Sequence, residues 1–113
     1  MEAASGRAPS APALSPERRA KKAYRQGNYS AAVDAYKEVM ENSGGNPSPT
    51  VHLGFGKALY HTGQFDRAMR HLIRAEKAGV ADRDAYRFLI ELHRQQGDDA
   101  GVNTYTQKLS QLR

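Results

Sequence analysis

Cysteine is absent from the 113 residues, which excludes disulfide staples, thiolate metal sites and thiol nucleophiles. No apolar run approaches the roughly 20 residues that a membrane-crossing helix needs. The opening MEAASGRAPSAPALSPERR lacks the continuous apolar stretch of a secretory signal. These two absences make the cytoplasm the expected compartment. HExxH is missing, and Gly44 and Gly45 are not followed by the Lys-Ser/Thr of a phosphate loop. Serines fall in expected caps and tails rather than at a strand-to-helix elbow. His52, His61, His71 and His93 read as single residues scattered over three helices, with His93 on a packed side. No catalytic activity, cofactor or metal is expected from such a chain.

What is present is organised around FGKALYHTGQFDRAMRHLIRA, Phe55 to Ala75. Phe55, Leu59 and Tyr60 recur at helical spacing before Gly63, and Phe65, Ala68, Leu72 and Ala75 recur after it. Small Gly56 and Ala68 are expected where two backbones approach, with Phe55, Leu59, Phe65 and Leu72 filling the volume beside them. Gly63 can take the positive φ that ends a helix without a Cβ penalty. The stretch is therefore a helical hairpin. Upstream, Ala20, Ala23, Gly27, Tyr29, Ala32, Tyr36 and Val39 repeat its pattern, and downstream Tyr86, Leu89, Ile90, His93, Gly97, Val102 and Leu109 do so more loosely. Gly27, Gly63 and Gly97 are 36 and 34 residues apart.

A period near 34 residues with this order of small, large, glycine and aromatic positions resembles the tetratricopeptide repeat family. The resemblance covers about residues 16 to 112 and is loosest in the third repeat, where Asp99 and Thr106 replace preferred aromatic residues. It implies an all-α fold, a right-handed solenoid of three antiparallel helix pairs that binds protein rather than catalysing a reaction. The divisions are a flexible tail at 1–14 and a domain at 15–113, with repeats at about 15–46, 48–79 and 82–112. Three repeats are near the minimum for a stable stack, because a lone hairpin leaves one apolar face uncovered.

Local signals place the helices at about Pro16–Gln26, Tyr29–Asn42, Pro49–Thr62, Asp66–Ala78 and Arg83–Gln96, with a sixth following Asp98 or Asp99. Ser15 and Pro16 form a Ser-Pro start that Ser48 and Pro49 repeat, and Asp82 is the expected cap of the fifth helix. Pro16 stands where the family prefers a large aromatic residue, so the front of the stack is thinly covered and part of Tyr29, Tyr36 or Val39 is expected to be reachable. On the last helix Val102, Tyr105, Leu109 and Leu112 make one apolar stripe amid polar residues, as a terminal cap requires.

The formal charge of +5 is distributed unevenly. Residues 1–26 hold six basic and two acidic groups and residues 63–79 four and two, whereas residues 27–62 hold two and three and residues 80–113 five of each. Arg67, Arg70, Arg74 and Lys77, interleaved with His71, form a basic ridge on the fourth helix, opposite its packed face. No zinc-finger spacing or RNA-binding signature accompanies these charges, so nucleic acid is disfavoured.

The family resemblance puts the first helix of each pair on the concave face. It implies a partner-binding surface of Lys21, Tyr24, Arg25, Leu53, Lys57, Tyr60, Arg87, Phe88 and Arg94. The expected partner is another protein, through an acidic or mixed acidic and apolar segment. Chaperone adaptors of the family grip a free C-terminal carboxylate at positions that here are Glu17, Lys21, Gly54, Asp84 and Phe88. Only one of these is basic and two carry the wrong sign, so that ligand is not expected. The alternative is a structural domain that binds its own copies. Like charges at Arg18, Arg19, Lys21 and Lys22 oppose a two-fold contact at the front, so a monomer or weak dimer is expected.

Overall fold

The computed structural model describes residues 14–112; residues 1–13 of the tail expected at 1–14 lie outside them. Six helices follow one another: α1 Pro16–Arg25, α2 Tyr29–Asn42, α3 Pro49–His61, α4 Phe65–Lys77, α5 Arg83–Gln95 and α6 Asp99–Ser110. They pack as three consecutive pairs, with α3 set against α2 and α5 against both α3 and α4. No strand occurs among the described residues, and none of their helices is long and apolar enough to cross a membrane.

The glycine turns repeat one geometry for one reason. Gly27, Gly63 and Gly97 have φ of 79°, 81° and 71°, so each chain reverses without placing a Cβ in the left-handed region. In the central turn Gly63 N–H donates to Tyr60 C=O at 3.1 Å and Gln64 N–H donates to Leu59 C=O at 3.0 Å. These bonds satisfy carbonyls that the end of α3 leaves open. Residues following the other two turns start the next helix: the side chains of Asn28 and Asp98 accept from Ala31 N–H and Gly101 N–H. Ser15 and Asp82 also cap, accepting from Arg18 N–H and Ala85 N–H. Ser48 does not; its Oγ lies 3.2 Å from Thr50 Oγ1 instead. The two Ser-Pro starts are thus alike in sequence and different in bonding.

Two apolar clusters hold the pairs together. The front one gathers Ala20, Ala32, Val33, Ala35, Tyr36, Val51, Phe55, Ala58, Leu59 and Ala68. The rear one gathers Leu72, Ala85, Tyr86, Leu89, Leu92 and Tyr105, with Leu109 and Leu112 against it. Within the central pair, a Cβ on Gly56 would lie 2.8 Å from Leu72 Cγ and 3.0 Å from the Leu72 backbone nitrogen. Gly56 thus lets α3 approach α4 closely at Leu72, and Ala68, one turn earlier on α4, is fully buried.

Three expectations change on folding. Phe65, expected in the hairpin core, is 40% exposed; as the first residue of α4 its Cβ points back past the turn, and it meets only the edge of the core, 5.6 Å from the Tyr60 ring centroid. Of Tyr29, Tyr36 and Val39, among which some exposure was expected at the front, Tyr29 and Val39 are half-buried, whereas Tyr36 is 3% exposed because α3 packs over it. The histidines are not all single. His52 and His71 bring their Nδ1 atoms to 3.0 Å, since α3 and α4 run side by side, and His71 turns from the basic ridge toward Phe55, at 4.7 Å between centroids.

Candidate functional site

Five of the nine residues expected to bind a partner line a single cavity. Lys21, Tyr24 and Arg25 come from α1, and Leu53 and Lys57 come from α3; they surround about 250 Å³ of open space. Their convergence follows from helical spacing: 21, 24 and 25 share one face of α1, while 53 and 57 are one turn apart on α3. Behind them Tyr36 of α2 forms part of the wall, next to Gly54. Tyr36, Thr50 and Gly54 complete the cavity; Gly54 lies on the helix expected to face a partner, whereas Tyr36 and Thr50 were not expected there. The signal for Tyr36 was obscured because an aromatic residue on an inward face reads as core.

An aromatic row continues from this cavity toward α5. Tyr24 meets Tyr29 edge-on at 5.2 Å and His61 at 5.6 Å, and Tyr29 stacks on His61 at 4.0 Å. His61 then meets the Phe88 ring edge-on at 5.3 Å, and Phe88 stacks on Tyr60 at 4.1 Å. Tyr60 and Phe88, both expected to bind, are thus brought together. Arg87 and Arg94 lie on the exposed side of α5 and do not line the cavity.

Electrostatics alter the expected picture of a basic groove. Lys57 is largely covered and pairs with Asp82 at 3.3 Å and Asp84 at 4.0 Å. Its ammonium also lies 5.6 Å from the Tyr24 ring centroid. Lys21 pairs with Glu17 at 3.2 Å, Arg87 with Asp84 at 3.6 Å and Arg94 with Glu91 at 2.7 Å. Of the expected cationic contacts, Arg25 alone has no ion pair among the described residues. Charges that the sequence reads as a field are, in the fold, mostly local pairs.

Burial keeps the ring groups uncharged. The Tyr24 hydroxyl is pushed up to about 12, first by burial and then by Tyr29, Asp84 and Asp82 nearby. Burial also raises Tyr36, with Glu17 adding to it, and raises Tyr60. His61 is lowered by burial and by Lys57. The tyrosines therefore offer neutral hydroxyls, able to donate as well as accept. Among the described residues no group of three or more His, Asp or Glu has metal-binding geometry.

Lys108 and Glu76 form an ion pair that ties α6 to α4, and His93 Nδ1 lies 3.0 Å from the capping carboxylate of Asp98. A Cβ on Gly101 would come within 2.4 Å of His93 Nδ1, so this glycine keeps the last pair closed. His93 is mostly covered, as expected, and serves the packing of α5 on α6.

Comparison with curated proteins yields no match. The sequence model of the tetratricopeptide repeat matches residues 23–92, from the end of α1 to the last turns of α5, and so covers the central pair and the glycine turns at Gly27 and Gly63. With six helices paired as that repeat requires, the chain belongs to the tetratricopeptide repeat family.

Proposed function

We propose that this domain is a non-catalytic module of the cytoplasm, built from repeats at about 15–46, 48–79 and 82–112, which holds a segment of another protein along α1, α3 and α5. The supporting observation is the continuity of the cavity with the aromatic row: Tyr24 belongs to both. A cavity provides an anchor point, and flat rings beside it provide contact area at low entropic cost. Repeat families commonly present binding surfaces through one helix of each pair, and tetratricopeptide repeats generally mediate protein–protein interaction.

The basic face of α4 has no part in this reading. Replacing Tyr24 and Tyr60 by Ala is expected to weaken a captured partner protein at least about tenfold, or about 1.4 kcal/mol, while replacing Arg70 and Arg74 together changes binding little. Titrations are run where circular dichroism shows every variant fully folded. The reverse ranking would move the site to α4. The domain itself is proposed to be a monomer or weak dimer, and sedimentation equilibrium across roughly 10–300 μM, a range chosen to bracket micromolar association, checks this. A mass that stays dimeric throughout would favour self-assembly instead.

A further inference from the structure

The cavity between α1, α2 and α3 contains a feature that packing alone does not require. Tyr36 is 3% exposed, yet it reaches the cavity wall, and its hydroxyl makes no hydrogen bond among the described residues. The oxygen lies over Gly54, where a Cβ would come within 2.1 Å of it. Glycine at 54 thus makes room for a hydroxyl at the cavity wall. A polar group held in this way, on a residue otherwise covered, has hydrogen-bonding capacity left for a ligand.

The surrounding charges limit what the ligand can be. Three cations line the cavity, Lys21, Arg25 and Lys57. Glu17 meets the first and Asp82 the third, while Asp84, 4.0 Å from Lys57, is closer to Arg87 outside the cavity, at 3.6 Å. This leaves the charge of Arg25 to be balanced. A singly charged anion completes the account; a phosphate dianion would leave an excess of negative charge close to Glu17, Asp82 and Asp84.

Resting on the reading of α1, α3 and α5 as the binding face, we propose that this cavity takes one aspartate or glutamate side chain of the bound segment. The Tyr36 hydroxyl donates to its carboxylate, and Arg25 supplies the opposing charge. Because burial and Glu17 hold Tyr36 in its protonated form, it acts as a donor throughout the physiological range. The contact is to an internal side chain and requires no free chain terminus.

A library of random 12-residue peptides, acetylated and amidated at their ends, is the probe. Peptides selected on the intact chain are expected to share one Asp or Glu whose change to Asn or Gln weakens binding at least about tenfold, and to bind at least about tenfold more weakly to Tyr24→Ala. Tyr36→Phe and Arg25→Gln should each reduce that acid-to-amide preference to less than about threefold. Tyr36→Phe removes a hydroxyl without an internal partner, so its unfolding midpoint should match the parent and exclude misfolding as the cause. Peptides that need Tyr24 but bind equally well with acid or amide would overturn the carboxylate pocket and leave the binding face standing. Peptides indifferent to Tyr24, or a library that returns no binder, would overturn both. Phosphoserine binding as well as or better than glutamate at the shared position would overturn the single-charge argument.

Discussion

Half of the front cluster is alanine, five residues of ten, whereas the rear cluster has one alanine in six and relies on Leu72, Leu89, Leu92, Tyr86 and Tyr105. Small side chains bring helices α1 to α3 close together and bury little area per residue. Large ones bury more per residue. The two ends of one repeat array therefore have opposite sensitivities: the rear should suffer from truncation, and the front from enlargement.

The largest effect should come from Leu72→Ala. Leu72 is 1% exposed, and its loss should cost roughly 2–5 kcal/mol, read as a lowered midpoint in urea. A change within about 0.5 kcal/mol would erase the claim that the rear depends on bulk. Next, Ala32→Leu at the front, where Ala32 is fully buried, should cost about 1–3 kcal/mol through overpacking. Were it neutral, the front would contain room that close helix approach denies.

Acid gives a third test, directed at the boundary of the front cluster. His71 is lowered to about 4 by burial, by His52 and by Arg67, Arg74 and Arg70; His52 is lowered by burial and by Arg74. Between pH 6.5 and about 4 the unfolded chain binds protons that the folded chain excludes. Stability should therefore fall as pH drops through that window and level off below it. The loss should be on the order of 2 kcal/mol for His71, below the full linkage value because its ring is only half-covered. Urea midpoints at successive pH values measure it, and His71→Leu should flatten the curve.

The smallest contrast lies in the caps. Asp82→Ala removes both a cap and the partner of Lys57 and should cost about 1 kcal/mol. Ser48→Ala removes a side chain that caps nothing and should stay within about 0.5 kcal/mol. Equal effects would mean that residue type at a helix start, rather than the bond formed, sets its value.

The hairpins were legible in the sequence because a helix leaves periodic marks: glycines at regular intervals and small residues opposite large ones. Helix ends were read to within a residue because Ser15, Asp82 and Asp98 act locally. The site was legible only in part. Lys21, Tyr24, Arg25, Leu53 and Lys57 could be brought together by helical spacing, but the neutralisation of Lys57 by Asp82 depends on groups 25 residues apart. The same holds for His52 and His71, 19 residues apart, whose meeting depends on the register of two helices. Phe65 shows the converse error, since a large apolar residue at the first helical position can follow the family pattern and still face water.

Ala68 and Leu72 stand one turn apart on α4 yet belong to different clusters, while Tyr60 touches both. This helix is a wall shared by two rooms, and the consequence is kinetic. Release of α5 and α6 as a unit would uncover Leu72 and leave Ala68 sealed against α3, so the chain can open from the rear without dissolving its front. In amide hydrogen exchange the molecule should then show two protection levels rather than one, with the step falling within α4. A ligand seated between α1 and α3 would raise the upper level directly. It would reach the lower one chiefly through the stacked rings of Tyr60 and Phe88, so the exchange rate of α6 measures how far occupancy of the front is felt at the far end.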